Sequence, residues 1–137
     1  MSNAVRKALP ITLFIAAVAL AAPTWAQTAK LDGKTFVAEA GIKGKPADER
    51  DDVISFANGK FHSSACDKYG FVAADYRSAD GRSFDAETMS EKEGRIAWKG
   101  TVQDGTIEGT FVHYPKGWFL NPNPSPIEHW FKGKIKS

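Results

Sequence analysis

Apolar and polar residues alternate along much of the chain after residue 33. The alternation is regular over residues 94–103, 106–114 and 127–134, where every second position is apolar, aromatic or glycine. Successive side chains of a β-strand point to opposite faces, so a period of two places one set on a buried face and the other in solvent. These segments therefore predict strands with one apolar face.

Eight segments have this strand-like character, at about the 8 to 12 residue spacing that is typical of a β-sandwich or barrel. Turn signals at Asn58-Gly59, Asp80-Gly81, Glu93-Gly94 and Asp104-Gly105 separate consecutive segments, which predicts antiparallel pairing between neighbours. Closing such a meander removes its exposed edges, so the chain is predicted to be all-β, a single antiparallel up-and-down β-barrel. The predicted strands are 34–40, 52–57, 60–64, 71–78, 82–90, 94–103, 106–114 and 127–134.

Two longer segments interrupt the pattern. Residues 41–51 are polar and rich in lysine and aspartate, which predicts an exposed loop. Residues 115–126 contain four prolines around Trp118 and Phe119. Proline has no N–H for a strand ladder, so this segment is also predicted to be a loop. A short helical turn is predicted over residues 64–69.

The composition supports a β-fold. Beyond residue 26 the chain has many aromatic residues, whereas its only leucines are Leu31 and Leu120. Strands favour aromatic and β-branched residues, and helical domains usually depend on leucine.

The N-terminal segment is typical of a secretory signal peptide. Arg6 and Lys7 precede an uncharged apolar stretch, which Pro23 ends, and Ala26 offers a cleavage position. The stretch is shorter than the roughly 20 residues that a bilayer span needs. We therefore expect a signal peptide over 1–26 and a barrel domain over 27–137, although a buried or anchoring helix is the alternative. A cleaved chain of this kind would have no transmembrane anchor and would be periplasmic or secreted.

Removal of the signal peptide would change the charge balance. The full chain has 18 basic and 16 acidic residues, and the predicted signal peptide contains two of the basic residues and no acidic one. The remaining chain has 16 of each, and lacks the basic excess usual in proteins that bind nucleic acid or acidic membranes. We expect no nucleic-acid partner.

Cys66 is the only cysteine. A single thiol outside the cytoplasm is buried, forms an intermolecular bridge such as a homodimer disulfide, or is reactive. His62 and Asp67 lie nearby in sequence, and a Cys/His pair can form a nucleophile. The sequence has none of the usual phosphate-loop, dinucleotide, zinc or serine-hydrolase motifs. We expect no cofactor, no metal and no enzymatic activity.

Two stretches resemble the small secreted barrels of the lipocalin and avidin-like (calycin) type. They are the opening segment Leu31-Asp32-Gly33-Lys34-Thr35-Phe36, and the hairpin formed by residues 98–102 and 104–110 around an Asp-Gly turn. The resemblance implies a barrel with an interior of ligand size. It implies no particular ligand residues, since a fold alone does not set a function.

Histidine and aromatic side chains supply the candidate binding site. His113 and His129 fall on the apolar face of their strands, where they would contact a ligand, bind a metal through a neutral imidazole, or be satisfied by neighbouring groups. The aromatic residues would line a pocket or simply fill the core, and Trp118 would cover or plug one end. The candidate ligand-binding residues are Trp98, Phe111, His113, Trp118, His129 and Phe131.

The resulting functional prediction is an exported protein that binds a small apolar or amphipathic molecule. The alternative is a structural or protein-interaction module with a solid core and with Trp118, Phe119 and Trp130 exposed. An enzyme would require Cys66 to meet His62 or His113 in one cleft.

Overall fold

The chain forms one closed antiparallel barrel. The computed structural model describes residues 29–136, so the signal peptide predicted at 1–26 lies outside the described residues. Every strand pairs with its neighbour in sequence, and β1 pairs with β8 to complete the barrel. The predicted up-and-down topology is confirmed. The strands are β1 (Thr35–Ile42), β2 (Glu49–Ala57), β3 (Lys60–Ser63), β4 (Ala74–Arg77), β5 (Ser83–Ser90), β6 (Gly94–Gln103), β7 (Thr106–Tyr114) and β8 (Ile127–Ile135).

The predicted helical turn over residues 64–69 is confirmed as a 3₁₀ turn, Ser64–Tyr69, between β3 and β4. In the described part of the chain, no helix is long and apolar enough to cross a membrane.

The predicted boundaries differ most from the structure in two segments. The loop predicted over 41–51 is limited to residues 43–48, because Gly41 and Ile42 continue β1 in register with Trp130 and His129 of β8. The strand predicted over 71–78 begins only at Ala74. The residues before it leave the 3₁₀ turn through a left-handed glycine, Gly70, with φ 82°.

The tight turns follow the predicted chemistry at two hairpins. Asn58 and Gly59 have φ of 54° and 73°, and Asp104 and Gly105 have φ of 52° and 73°. Two consecutive residues with positive φ match the twist of the strands that they join. The Asp80-Gly81 turn is wider than predicted, since Asp80 Oδ1 accepts hydrogen bonds from the backbone N–H groups of Arg82 and Ser83.

One end of the barrel, the closed end, is sealed by the segment that precedes β1. Leu31 and Tyr76 are buried there. The Tyr76 hydroxyl accepts a hydrogen bond from Leu31 N–H at 3.0 Å and donates one to Asp32 Oδ1 at 2.8 Å. Burial raises the pKa of the Tyr76 hydroxyl, which therefore stays protonated and able to donate. In the described residues this seal closes one end of the barrel, and the opposite end is called the open end.

The half of the interior next to the closed end is filled with aromatic rings. The Phe56 ring lies at its centre, in contact with Tyr76 and Phe84 at centroid distances of 4.9 and 5.0 Å, and with two further phenylalanines. Inward positions with no side chain make room for these rings, and a Cβ at Gly100 would come within 2.7 Å of the Phe84 ring. The barrel is solid in this half.

Candidate functional site

A cavity of about 420 Å³ occupies the open end of the barrel. Its rim comes from the connections on that side: the β1–β2 loop, the 3₁₀ turn and the β5–β6 turn. The cavity is lined by aromatic and aliphatic side chains toward the core and by polar and charged side chains toward the rim. The apolar part of the lining includes Ala40, Phe71, Ile96, Trp98 and Phe111, and the polar part includes Asp52, Ser63, Glu93, His113 and His129.

Trp98 separates the cavity from the solid half of the barrel. Its side chain is buried, and its ring lies 4.3 Å from Phe111 and 4.8 Å from Phe61 between centroids. The indole N–H donates a buried hydrogen bond to Thr88 Oγ1 at 3.0 Å. A buried indole with its only donor satisfied presents a flat apolar surface to the cavity.

The two predicted histidines both reach the cavity. The His129 ring stacks on Phe111 at 4.4 Å with an interplanar angle of 6°, and His113 packs edge-on against Phe71 at 5.9 Å. His113 Nε2 donates to the Glu93 carbonyl at 2.7 Å, and His129 Nδ1 donates to the Ile127 carbonyl at 3.2 Å, since a carbonyl can only accept. The remaining ring nitrogen of each histidine is not used by these bonds.

His129 is held in its neutral form at neutral pH. Burial lowers its pKa from 6.5, the nearby His113 lowers it further, and the Ile127 carbonyl and Asp48 oppose this effect. Folding therefore favours the uncharged ring, and the stability gained is present above pH 6.5 and is lost as the pH falls through the lowered pKa. A neutral imidazole stacked on a phenyl ring makes this wall less polar than a charged histidine would.

Asp52 fixes the 3₁₀ turn to the barrel wall. Its side chain is buried and accepts hydrogen bonds from Ser63 Oγ at 2.7 Å, Ala65 N–H at 2.9 Å and Ser64 Oγ at 3.3 Å. Ser64 Oγ in turn accepts from Val53 N–H at 2.8 Å. A buried carboxylate needs several donors to offset its lost hydration, and this one receives three. The rim on this side of the cavity is therefore set by Asp52.

Cys66 lies in the 3₁₀ turn and lines the cavity with a half-buried side chain. Its Sγ is 3.4 Å from Ser63 Oγ. Burial raises the pKa of the thiol to about 11, and the negative charges of Asp52, Asp67 and Glu49 raise it further against the opposing hydrogen bond from Ser63. His62, its candidate partner in sequence, instead contacts Asp67 at 2.6 Å through Nε2. The thiol is therefore protonated at neutral pH and is a poor nucleophile.

This protonation predicts slow alkylation of Cys66. At pH 8 about one such thiol in a thousand would be ionised, so iodoacetamide should react roughly a hundredfold more slowly with Cys66 than with free cysteine. The rate should rise as the pH approaches about 11. Over the same range, from pH 9.0 upward, the stability that the protonated thiol contributes is lost. Mass spectrometry at timed intervals measures the rate, and rapid labelling at pH 7 would contradict the burial.

The six predicted ligand-binding residues divide into three groups in the structure. Trp98, Phe111, His113 and His129 line the cavity. Phe131 is buried beneath it, with its ring 5.6 Å from Trp98. Trp118 does not line the cavity, since it lies in the 115–126 loop with 55% of its surface exposed.

Several residues that line the cavity were not identified as candidate binding residues from the sequence. Asp52 and Ser63 look like ordinary polar strand residues, and the sequence indicated Cys66 as a buried, bridging or reactive thiol but not as part of a binding cavity. Phe71 was predicted to lie on a strand, but it turns inward after the 3₁₀ turn and is 5% exposed. The inward placement of Phe71 depends on the left-handed conformation of Gly70, which the sequence pattern does not reveal.

In residues 29–136, no three His, Cys, Asp or Glu side chains are arranged to hold a metal ion. The chain matches no protein-family model, no curated protein and no solved structure. The resemblance to lipocalin and avidin-like proteins therefore stays a prediction.

Proposed function

We propose that the protein binds a small apolar or amphipathic molecule in the cavity at the open end of its barrel. The cavity itself supports this proposal most strongly. Its volume of about 420 Å³ lies within the roughly 300 to 1,000 Å³ of typical small-molecule sites. Its floor is aromatic and its rim carries polar and charged groups, a division that suits an amphipathic molecule better than a purely apolar one.

The lining indicates what kind of molecule would fit. Trp98 and Phe111 offer flat apolar surfaces to a ring or a short aliphatic chain. Each histidine already uses one ring nitrogen on a backbone carbonyl. In neutral His129 the other nitrogen, Nε2, is an acceptor. We propose a ligand with an apolar body and at least one hydrogen-bond donor, such as a hydroxyl or an amide.

The proposed site of action rests on the N-terminal segment of the sequence. The signal peptide proposed at 1–26 would deliver the barrel to the periplasm or the medium, where a carrier would protect an apolar molecule from water. The proposal includes no enzymatic step. Cys66 and His113 line the same cavity, but the raised pKa of the thiol does not favour nucleophilic attack.

The fluorescent probe N-phenyl-1-naphthylamine tests the cavity directly. We expect it to bind the unmodified chain and to bind an Ala40→Phe variant about tenfold less tightly or worse, because the added ring occupies the cavity and packed volumes cannot overlap. Ala57→Phe is the matched control, since Ala57 is exposed beside the Asn58 turn at the closed end. Equal affinity in the unmodified chain and in both variants would place the probe elsewhere and contradict the proposal.

Native mass spectrometry tests for a natural ligand. Protein purified from its own cell envelope should carry an additional non-covalent mass that is lost on denaturation, and that mass identifies the ligand. Identical native and denatured masses in freshly purified protein, together with no binding of the probe, would contradict the proposal. A dimer that dissociates only under a reductant would instead support a bridge through Cys66.

The interaction module remains a second candidate because of one observation. Half of the barrel is solid, and Trp118 and Phe119 are 55% and 88% exposed. Trp130, the third residue expected outside, is half-buried, and its indole N–H donates to the Lys45 carbonyl at 2.9 Å. A module of this kind would keep its exposed aromatic surface and would bind no probe in the cavity.

A further inference from the structure

Three of the four most exposed large apolar side chains of the described residues lie at one point, the end of the 115–126 loop. Trp118, Phe119 and Leu120, which we name the tip, are 55%, 88% and 69% exposed. Trp118 N–H donates to the Asn121 carbonyl at 3.0 Å, and Asn121 N–H donates to the Trp118 carbonyl at 2.9 Å. These reciprocal bonds form a tight turn with Phe119 and Leu120 at its end, so the apolar side chains are held outward.

The surrounding loop keeps the tip away from the cavity. A Cβ at Gly117 would collide with the Pro122 carbonyl, so the two sides of the turn are in close contact only because residue 117 is glycine. Lys116 Nζ donates to the Glu91 carbonyl at 2.7 Å, which ties the base of the loop to the β5–β6 turn. The tip is therefore an apolar projection beside the open end, held in place by these contacts, and it does not cover the entrance.

The size of the tip argues against a stable protein interface. The three side chains expose roughly 400 Å², about half of the ~800 Å² that each partner buries in a standard complex. The outer wall of a second copy offers an open hollow in which Val72 and Met89 lie among charged residues that include Arg77, Asp85 and Lys99. Seating the tip there would remove those charges from water as well, which carries a cost. A narrow apolar projection needs a partner that accepts it without a matching pocket.

A lipid bilayer is such a partner. Tryptophan is enriched where membranes meet water, because its ring is apolar and its N–H is polar, and phenylalanine and leucine enter the acyl boundary. We propose that the tip inserts into the interfacial region of a lipid bilayer and holds the open end of the barrel against it. The loop joins β7 and β8 at the end where His113 and His129 line the cavity, so the entrance would lie at the membrane surface.

The charge of the protein determines how this docking should respond to salt. The chain beyond residue 26 has equal numbers of basic and acidic residues. Insertion of apolar side chains, and not attraction to anionic lipid, would then supply the affinity. Binding should persist at about 0.5 M salt, where interactions between exposed charges are screened.

Flotation with vesicles of phosphatidylethanolamine and phosphatidylglycerol tests the proposal. The test uses the chain from Gln27, because the apolar stretch before it would itself bind lipid and the whole barrel lies within residues 29–136. A Phe119→Ser/Leu120→Ser variant should bind the vesicles roughly tenfold less or worse, given the apolar area that it loses. Ile135→Ser is the matched control, since Ile135 is 43% exposed at the closed end, and it should bind like the unmodified chain.

A second measurement follows Trp118 in the unmodified chain. Brominated lipids should quench part of the tryptophan fluorescence, and a Trp118→Phe variant should lose that quenching. Absence of vesicle binding, equal binding by the tip variant, or loss of binding at high salt would overturn the proposal. A dimer that the tip variant abolishes, without vesicle binding, would also overturn it and assign the tip to a second copy. Binding of N-phenyl-1-naphthylamine by the tip variant should be unchanged, which separates this test from that of the cavity.

Discussion

Replacing Phe56 with alanine is expected to lower the free energy of unfolding by about 3 to 5 kcal/mol. The Phe56 ring is 1% exposed and contacts the rings of Phe36, Phe61, Tyr76 and Phe84. Its removal would leave a void that the neighbouring rings cannot fill, because they belong to separate strands of a closed barrel. The loss would consist of the apolar transfer energy and the cost of the void.

Phe119→Ala is the matched control for this variant. The same atoms are removed, but Phe119 is 88% exposed, so the change should be smaller than about 0.5 kcal/mol. Urea unfolding followed by circular dichroism measures the free energy of unfolding of both variants. If this free energy falls with urea concentration at a similar slope in each, the two variants expose similar surface on unfolding and can be compared directly. A small effect at Phe56 would mean that its neighbours can rearrange, and that the closed half is less tightly packed than the ring contacts indicate.

Asp52→Ala is expected to cost about 3 kcal/mol and to release the 3₁₀ turn from the wall. The substitution removes the acceptor for Ser63 Oγ, Ser64 Oγ and Ala65 N–H. A buried donor that has lost its acceptor is neither hydrated nor hydrogen-bonded, and this destabilises the folded state. The rim of the cavity should therefore become mobile on the side where Cys66 lies.

The rate at which Cys66 is alkylated measures that mobility. In the Asp52→Ala variant, alkylation of Cys66 at pH 8 should accelerate about tenfold or more, because local opening exposes the thiol to solvent and reagent. Asp75→Ala is the control, since Asp75 pairs with Lys60 at 2.6 Å and its side chain is 85% exposed. That surface pair should contribute less than about 1 kcal/mol, and its loss should leave the rate unchanged. An unchanged rate in the Asp52 variant would show that the turn is held by other contacts.

Local patterns predicted the strands of this protein well where the alternation was strict. The segments 94–103 and 106–114 match β6 and β7 to the residue, since an Asp-Gly turn fixes their register. The same alternation placed Trp98, Phe111, His113 and His129 on the inward face, and all four line the cavity. Period-two patterns carry this information because a shift by one residue would turn every side chain to the opposite face.

The pattern was less informative where long-range pairing decides the structure. The polar residues 49–51 gave no strand signal, yet they begin β2 because β1 continues to Ile42 to complete its pairing with β8. Trp118 looked like a lid residue from its place in a proline-rich loop. The bond between Lys116 and the Glu91 carbonyl, which joins residues 25 apart, ties this loop to the β5–β6 turn, and the Trp118 side chain is exposed.

The sequence by itself determined the strand order, the antiparallel pairing and the inward face, because these depend on residues close together in the chain. Only the tertiary structure decided that one end is sealed and the other open. The seal needs Tyr76 to reach Leu31 and Asp32, more than 40 residues earlier, and the rim needs Asp52 to reach the 3₁₀ turn beyond the next strand. Contacts of that kind follow from barrel closure, which brings distant segments together and leaves no trace in local periodicity.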